Sequence, residues 1–106
     1  MYDNMYTIDE DNSKYSFEWD ENKNLLNIQK HGVSFVEAAY ALLDDGKIEH
    51  YDEKHSNYEN RWICIGVFDK RITVSYTIII NTIRIISARP SNRKERKLYY
   101  GKNSSL

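Results

Sequence analysis

The chain has 106 residues, a formal net charge of −1 and a hydrophobic fraction of 41%, which suits one domain with one modest core. No apolar run approaches twenty residues, which excludes a membrane-spanning helix, and the acidic N-terminal stretch lacks the basic and apolar pattern of a secretion signal. The lone cysteine, Cys64, excludes an internal disulfide and, between Ile63 and Ile65, reads as a small buried hydrophobe.

Residues 1–14 are polar and acidic without a sustained period, so a loose leader is expected there, before one domain over 15–101 and a loose tail over 102–106. Tyr15, Phe17 and Trp19 alternate with polar residues as in a short strand. Asp20 is placed as the N-cap of a helix whose apolar stripe is Leu25, Leu26 and Ile28, and Gly32 stops it after Lys30 and His31. Ser34 and Glu37 have capping-box spacing at the head of a second helix. Its apolar face is Phe35, Ala38, Ala39, Leu42 and Leu43, and Asp44-Asp45-Gly46 ends it.

A run of strands follows. Residues 47–51 read as an edge strand, and 61–68, 71–79 and 83–89 as an antiparallel meander turning at Asp69-Lys70 and at 80–82. Residues 92–100 read as a third helix, capped by Ser91 or Asn92 and stopped by Gly101. The expected class is α+β: an antiparallel sheet of four to five strands, two N-terminal helices packed on it and a C-terminal helix.

The net charge conceals a polarity. Residues 1–21 hold seven acids and one lysine; residues 84–106 hold seven bases and one acid. The basic C-terminal quarter suits a polyanion, unless the acidic head neutralises it within the molecule. Arg84 and Arg89 stand inside an isoleucine-rich strand, where a guanidinium is costly unless it meets an anion. Short turns bring Arg61, Tyr76, Thr77 and Arg84 side by side, an array of cations and hydroxyls suited to a phosphodiester. The alternative is a structural ion pair of Arg84 with Glu18, Glu49 or Glu59.

The histidines share no metal-ligand spacing. His31, at a helix end, is the favoured acid or base, whereas His55 lies in a polar loop that reads first as solvated. Arg93, Lys94, Arg96 and Lys97, followed by Tyr99 and Tyr100, suit single-stranded RNA, with rings to stack and cations to hold the backbone. No Gly-rich phosphate loop, zinc spacing or nucleophile elbow occurs.

Five segments together resemble one family. They are Phe17-Glu18-Trp19-Asp20 with Lys23; Lys30-His31-Gly32-Val33-Ser34-Phe35 with Glu37-Ala38-Ala39; His55-Ser56 with Glu59 and Arg61; Ile83 to Arg89; and Arg93, Glu95-Arg96 and Tyr99. In order and spacing they are similar to the BrnT toxins of type II toxin–antitoxin modules. The resemblance implies a RelE-like ribonuclease fold, cleavage of RNA, inhibited translation and growth arrest. It also implies a cytoplasmic location and a neighbouring BrnA-like antitoxin that binds DNA and forms a hetero-oligomer with the toxin. Carried over by motif are Lys23, His31, Arg61, Arg84, Arg89, Arg93 and Tyr99.

The resulting expectation is an endoribonuclease that needs no metal or other cofactor. His31, Arg61, Arg84, Tyr76 and Lys23 would be catalytic, and Arg89, Arg93, Arg96, Lys97 and Tyr99 would hold RNA. The competing expectation is a module that binds RNA or a protein partner with the same basic face and cuts nothing.

Overall fold

The computed structural model describes residues 4–10 and 13–104. Among them are strands β1 (Asn4–Glu10), β2 (Ser13–Trp19), β3 (Ile48–Tyr51), β4 (Trp62–Phe68), β5 (Lys70–Ile79) and β6 (Thr82–Pro90). The helices are α1 (Glu21–His31), α2 (Phe35–Ala41) and α3 (Arg93–Asn103). The strands form one six-stranded sheet in the order β1-β2-β6-β5-β4-β3. No helix among the described residues is long and apolar enough to cross a membrane.

The meander β4-β5-β6 is antiparallel throughout, as its short turns require. Asp69 and Ile80 make those turns with φ of 68° and 58°; the second is a strained setting for a β-branched side chain. The sheet is mixed rather than antiparallel, because β2 runs parallel to β6. It also has more strands than expected. Residues 4–10, assigned to the leader, pair with β2 along its whole length. The acids there mask a period of two: Tyr6 stacks on Trp19 at 4.8 Å, and Ile8 packs against the core. The remaining leader residues 1–3 and 11–12, and residues 105–106 of the tail, lie outside the described residues.

One core lies between the sheet and the N-terminal helices. It joins Phe17 and Trp19 of β2, Val33, Phe35 and the alanines of α2, and Cys64, Ile72, Val74, Tyr76, Ile85 and Ala88 of the meander. The caps are as the sequence predicts. Asp20 accepts from the backbone of Asn22 and Lys23, Ser34 and Glu37 close a capping box, and Gly32 ends α1 in the left-handed region at φ 71°. Gly66 lets α2 lie directly on β4, since a Cβ there would meet the Ala41 carbonyl oxygen at 2.1 Å.

Helix α1 corrects the sequence reading. Its stripe faces solvent: Leu25, Leu26 and Ile28 are 55%, 63% and 40% exposed, whereas Asn24 and Asn27 are 7% and 8% exposed. The cause is the sheet edge. β2 ends at Trp19, so the second half of β6 lacks a strand neighbour on that side. Asn27 replaces it: its amide donates to Ala88 O at 2.7 Å and its oxygen accepts from Ala88 N at 3.2 Å. The same amide reaches Val33 O at 2.9 Å, and Asn24 accepts from Phe35 N at 2.8 Å. Two asparagines three apart share one helix face, and backbone groups that must be paired draw that face inward.

Helix α3 runs past the expected stop at Gly101 and docks through its C-terminal part on the opposite face. Tyr99 donates to Asp44 at 2.6 Å, Lys102 to Lys47 O at 2.8 Å, and Asn103 to Gly46 O at 2.9 Å. Asp44 also accepts from Val67 N and Gly46 N, so one carboxylate joins α3, β4 and the turn after α2.

Candidate active site

The site forms on the sheet face turned away from α1 and α2. Side chains alternate along each strand, so burial of Tyr76 and Ile85 in the core puts Thr77 and Arg84 on the other face. The register sets Glu18 beside Arg84 and Arg84 beside Thr77. Arg61 directly precedes β4, and by continuation from the Trp62–Tyr76 pair it stands beside Thr77. Asp52 follows β3, and its N–H donates to Arg61 O at 2.8 Å. A row thus crosses five strands: Glu18, Arg84, Thr77, Arg61, Asp52. Two strand spacings put the Arg61 and Arg84 backbones about 10 Å apart, close enough for both long side chains to reach one phosphate.

Each of these arginines already holds a carboxylate. Arg84 Nε lies 2.8 Å from Glu18, with the two side chains 23% and 18% exposed. Arg61 Nε lies 3.3 Å from Glu59, with exposures of 36% and 34%. The ion-pair alternative for Arg84 is therefore present in the structure, with Glu18 as its partner.

His55, in the polar loop after β3, is paired with a carboxylate that the sequence reading did not assign to it. Its Nδ1 donates to Asp52 Oδ2 at 2.9 Å; the carboxylate is 11% exposed and the imidazole 66%. The backbone holds this pair in place. Ser56 Oγ donates to Asp52 O at 2.5 Å and accepts from Arg61 N at 2.9 Å, and Thr77 Oγ1 donates to Asn60 O at 2.5 Å. A carboxylate on Nδ1 fixes the ring's orientation and leaves Nε2 for chemistry. His55, Asn57, Tyr58, Glu59 and Arg61 line a cavity of about 220 Å³. An imidazole, a carboxylate and a guanidinium therefore share one small concavity. The spacing of Asp52 and His55, three residues apart in a helical turn, is the signal that could have found the pair.

The other expected residues lie elsewhere. Tyr76 is buried on the core face and its hydroxyl donates to Glu49; burial, then that bond, raises its pKa far above the ordinary phenol value. It faces away from Arg84 because Thr77, its neighbour, faces toward it. His31 ends α1 one turn past Asn27, whose amide holds Ala88, four residues along β6 from Arg84. Lys23 is exposed in the first turn of α1.

Arg89 makes a bidentate pair with Glu95 at 2.7 and 2.8 Å. Arg96 donates to Ser91 O at 2.6 Å, and Arg93 and Lys97 are exposed on α3. Tyr99 anchors α3: burial, then the Asp44 bond, pushes its phenol up to about 12. The Cys64 thiol is pushed up to about 12 as well, chiefly by burial, which makes it inert as a nucleophile.

A crystal structure at 1.1 Å of the Brucella abortus ribonuclease toxin BrnT is similar to this chain, with a TM-score of 0.54 and 25% sequence identity over 71% of this chain and 94% of that one. No curated protein gives a significant match. The sequence pattern described as the ribonuclease toxin BrnT of type II toxin–antitoxin systems matches residues 19–95, a span that holds the Asp52–His55 pair, the cavity and every member of the row except Glu18. The chain therefore belongs to the BrnT family of ribonuclease toxins.

Proposed function

We propose that this chain is an endoribonuclease in which the RNA 2′-hydroxyl attacks its own neighbouring phosphorus, with side chains and no metal supplying the acid–base chemistry. The observation that carries the reading is the cavity in which His55, held by Asp52, meets Glu59 and Arg61. Glu59 takes the proton of the 2′-hydroxyl as the new P–O2′ bond forms. His55, protonated and backed by the Asp52 carboxylate, gives a proton from Nε2 to the 5′-oxygen as the P–O5′ bond breaks. The products are a 2′,3′-cyclic phosphate and a free 5′-hydroxyl. Charge building on the non-bridging oxygens is met by Arg61, with Arg84 one strand beyond Thr77. Arg89, Arg93, Arg96 and Lys97 extend a cationic path for the rest of the strand.

Cleavage of cellular RNA would inhibit translation and arrest growth, and a neighbouring BrnA-like antitoxin covering this face would prevent both. Purified protein incubated with RNA in EDTA tests the mechanism: cleavage should persist and leave cyclic-phosphate ends. Complete loss of cutting on chelation, restored by a divalent cation, would overturn it. The tie of Arg84 to Glu18 favours a second reading, a basic module that binds without cutting; for it, His55→Ala would leave RNA binding and toxicity unchanged.

A further inference from the structure

Tyr58 is 102% exposed. It makes no hydrogen bond or ring contact among the described residues, unlike the other loop-side aromatics Tyr51 and Trp62, which meet edge to face at 5.2 Å. An aromatic ring held wholly in water loses apolar stabilisation. The loop that carries it is nevertheless pinned at its base by Ser56 and by the Tyr51 hydroxyl, which donates to Asn60 at 3.0 Å. A loop anchored at its base therefore presents a bare ring at the rim of the cavity that holds His55, Glu59 and Arg61.

We infer that Tyr58 stacks on the base of the nucleotide beside the scissile phosphate, and so requires that base to be unpaired. The inference rests on the ribonuclease reading and adds the substrate class: single-stranded RNA with a base free to swing out. The size of the cavity agrees. At about 220 Å³ it falls below the ~300–1,000 Å³ of sites that enclose drug-sized ligands, so it cannot enclose a run of nucleotides and leaves the strand and its bases on the surface. The exposed amide of Asn57 on the same rim can meet the edge of that base while Tyr58 takes its face. A tyrosine has few rotatable bonds to freeze, which suits it to this work. A base within a duplex is already stacked on both sides and cannot be taken without opening its pair.

The test uses the full chain and a single-stranded 2′-O-methyl RNA carrying 2-aminopurine, whose fluorescence falls on stacking and whose blocked hydroxyl prevents cleavage. Wild type and Tyr58→Phe should quench the probe. Tyr58→Ala should not, and should bind about 5- to 150-fold more weakly, with an unchanged melting temperature because the ring packs on nothing. Cleavage of an ordinary single strand should fall in parallel, while a blunt duplex stays uncut by all three proteins. Equal quenching and cutting by wild type and Tyr58→Ala would overturn the inference and leave the ribonuclease reading intact. Loss of antitoxin inhibition alone in Tyr58→Ala would overturn it in favour of a protein contact. A wild-type protein that neither binds nor cuts RNA would overturn both readings.

Discussion

Replacing Asn27 with alanine tests the way α1 is seated. The side chain closes three hydrogen bonds with buried backbone: to Val33 O, to Ala88 O and from Ala88 N. Alanine leaves those groups with no protein partner at a position 8% exposed. Each unsatisfied buried group costs about 1–3 kcal/mol; the lower end for each of the three gives about 3 kcal/mol. That is a large part of the ~5–15 kcal/mol of a whole domain and lowers the melting temperature by roughly 12–24 °C. Leu26→Ala, at 63% exposure, should stay within ~0.5 kcal/mol of wild type. Urea unfolding followed by circular dichroism measures both. If Asn27→Ala cost less than Leu26→Ala, the leucines would be in the core and the seating described here would be wrong.

His55→Ala should lower RNA cleavage by about 10²- to 10⁴-fold and cost about 1–3 kcal/mol of stability, because it leaves the mostly buried Asp52 carboxylate without its ring partner, and Asp52→Asn should lower cleavage by freeing the ring; single-turnover assays read both. Arg61→Ala should lose ~10²–10³ in rate at little cost in stability. Arg84→Ala should also cost about 1–3 kcal/mol, less than the ~3–5 of a fully buried broken pair, because Glu18 is left mostly buried; equal unfolding midpoints for the two arginine variants would refute the distinction. Burial raises the Glu95 pKa, but its bonds to Arg89, to the Asn92 N–H and to Thr73 outweigh that, and the net shift is downward. A depressed carboxylate stabilises the fold fully above its unfolded pKa, ~4.3, and loses that contribution as pH falls through the lower folded value. The acid limb of the stability curve should therefore flatten in Glu95→Gln, and an unchanged limb would rule out the linkage.

Local signals in the sequence were accurate where the physics is local. Asp20, Ser34 with Glu37, and Gly32 sit at their caps because each satisfies its own helix end. The meander followed from short turns between apolar runs. What failed depended on partners distant in the chain. Nothing in Leu25, Leu26 and Ile28 announces that a strand 60 residues away lacks a neighbour and needs an amide. The stripe rule assumes that a helix buries its most apolar face, whereas here the unpaired backbone of β6 decided. Tyr76 and Thr77 cannot form one cluster, because adjacent strand residues face opposite sides of the sheet. His55 was read as solvated because its loop is polar, and the ring is indeed 66% exposed; the decisive contact, to a carboxylate that the loop itself buries, is visible only once Asp52 is paired with Arg61. Arg61 and Arg84 flank Thr77 in one row because strand register is set by turn length.

The carboxylates on these arginines bear on how an anion could enter. A guanidinium with no counter-ion in a half-buried row would be costly and would sample many rotamers. Glu18 and Glu59 offset that cost by pairing with Arg84 and Arg61. Both pairs are engaged through Nε, and a guanidinium carries five donors in a planar fork. The two pairs differ in how readily they yield. Glu59 and Arg61 are each about a third exposed, so water can solvate the carboxylate as a phosphate takes its place. Glu18 and Arg84 are more enclosed, and displacing that carboxylate would strand it in a poorly hydrated position. The more open arginine is also the one that lines the cavity with His55 and Glu59. Under the ribonuclease mechanism proposed above, exposure and placement favour Arg61 over Arg84 for the direct phosphate contact. Arg84 then acts from the enclosed pair, fixing β2 against β6 and contributing positive potential along the row. On that proposal the acids near the site would not oppose RNA binding: Glu59 would free its arginine for the substrate, and Glu18 would keep β2 in register with β6.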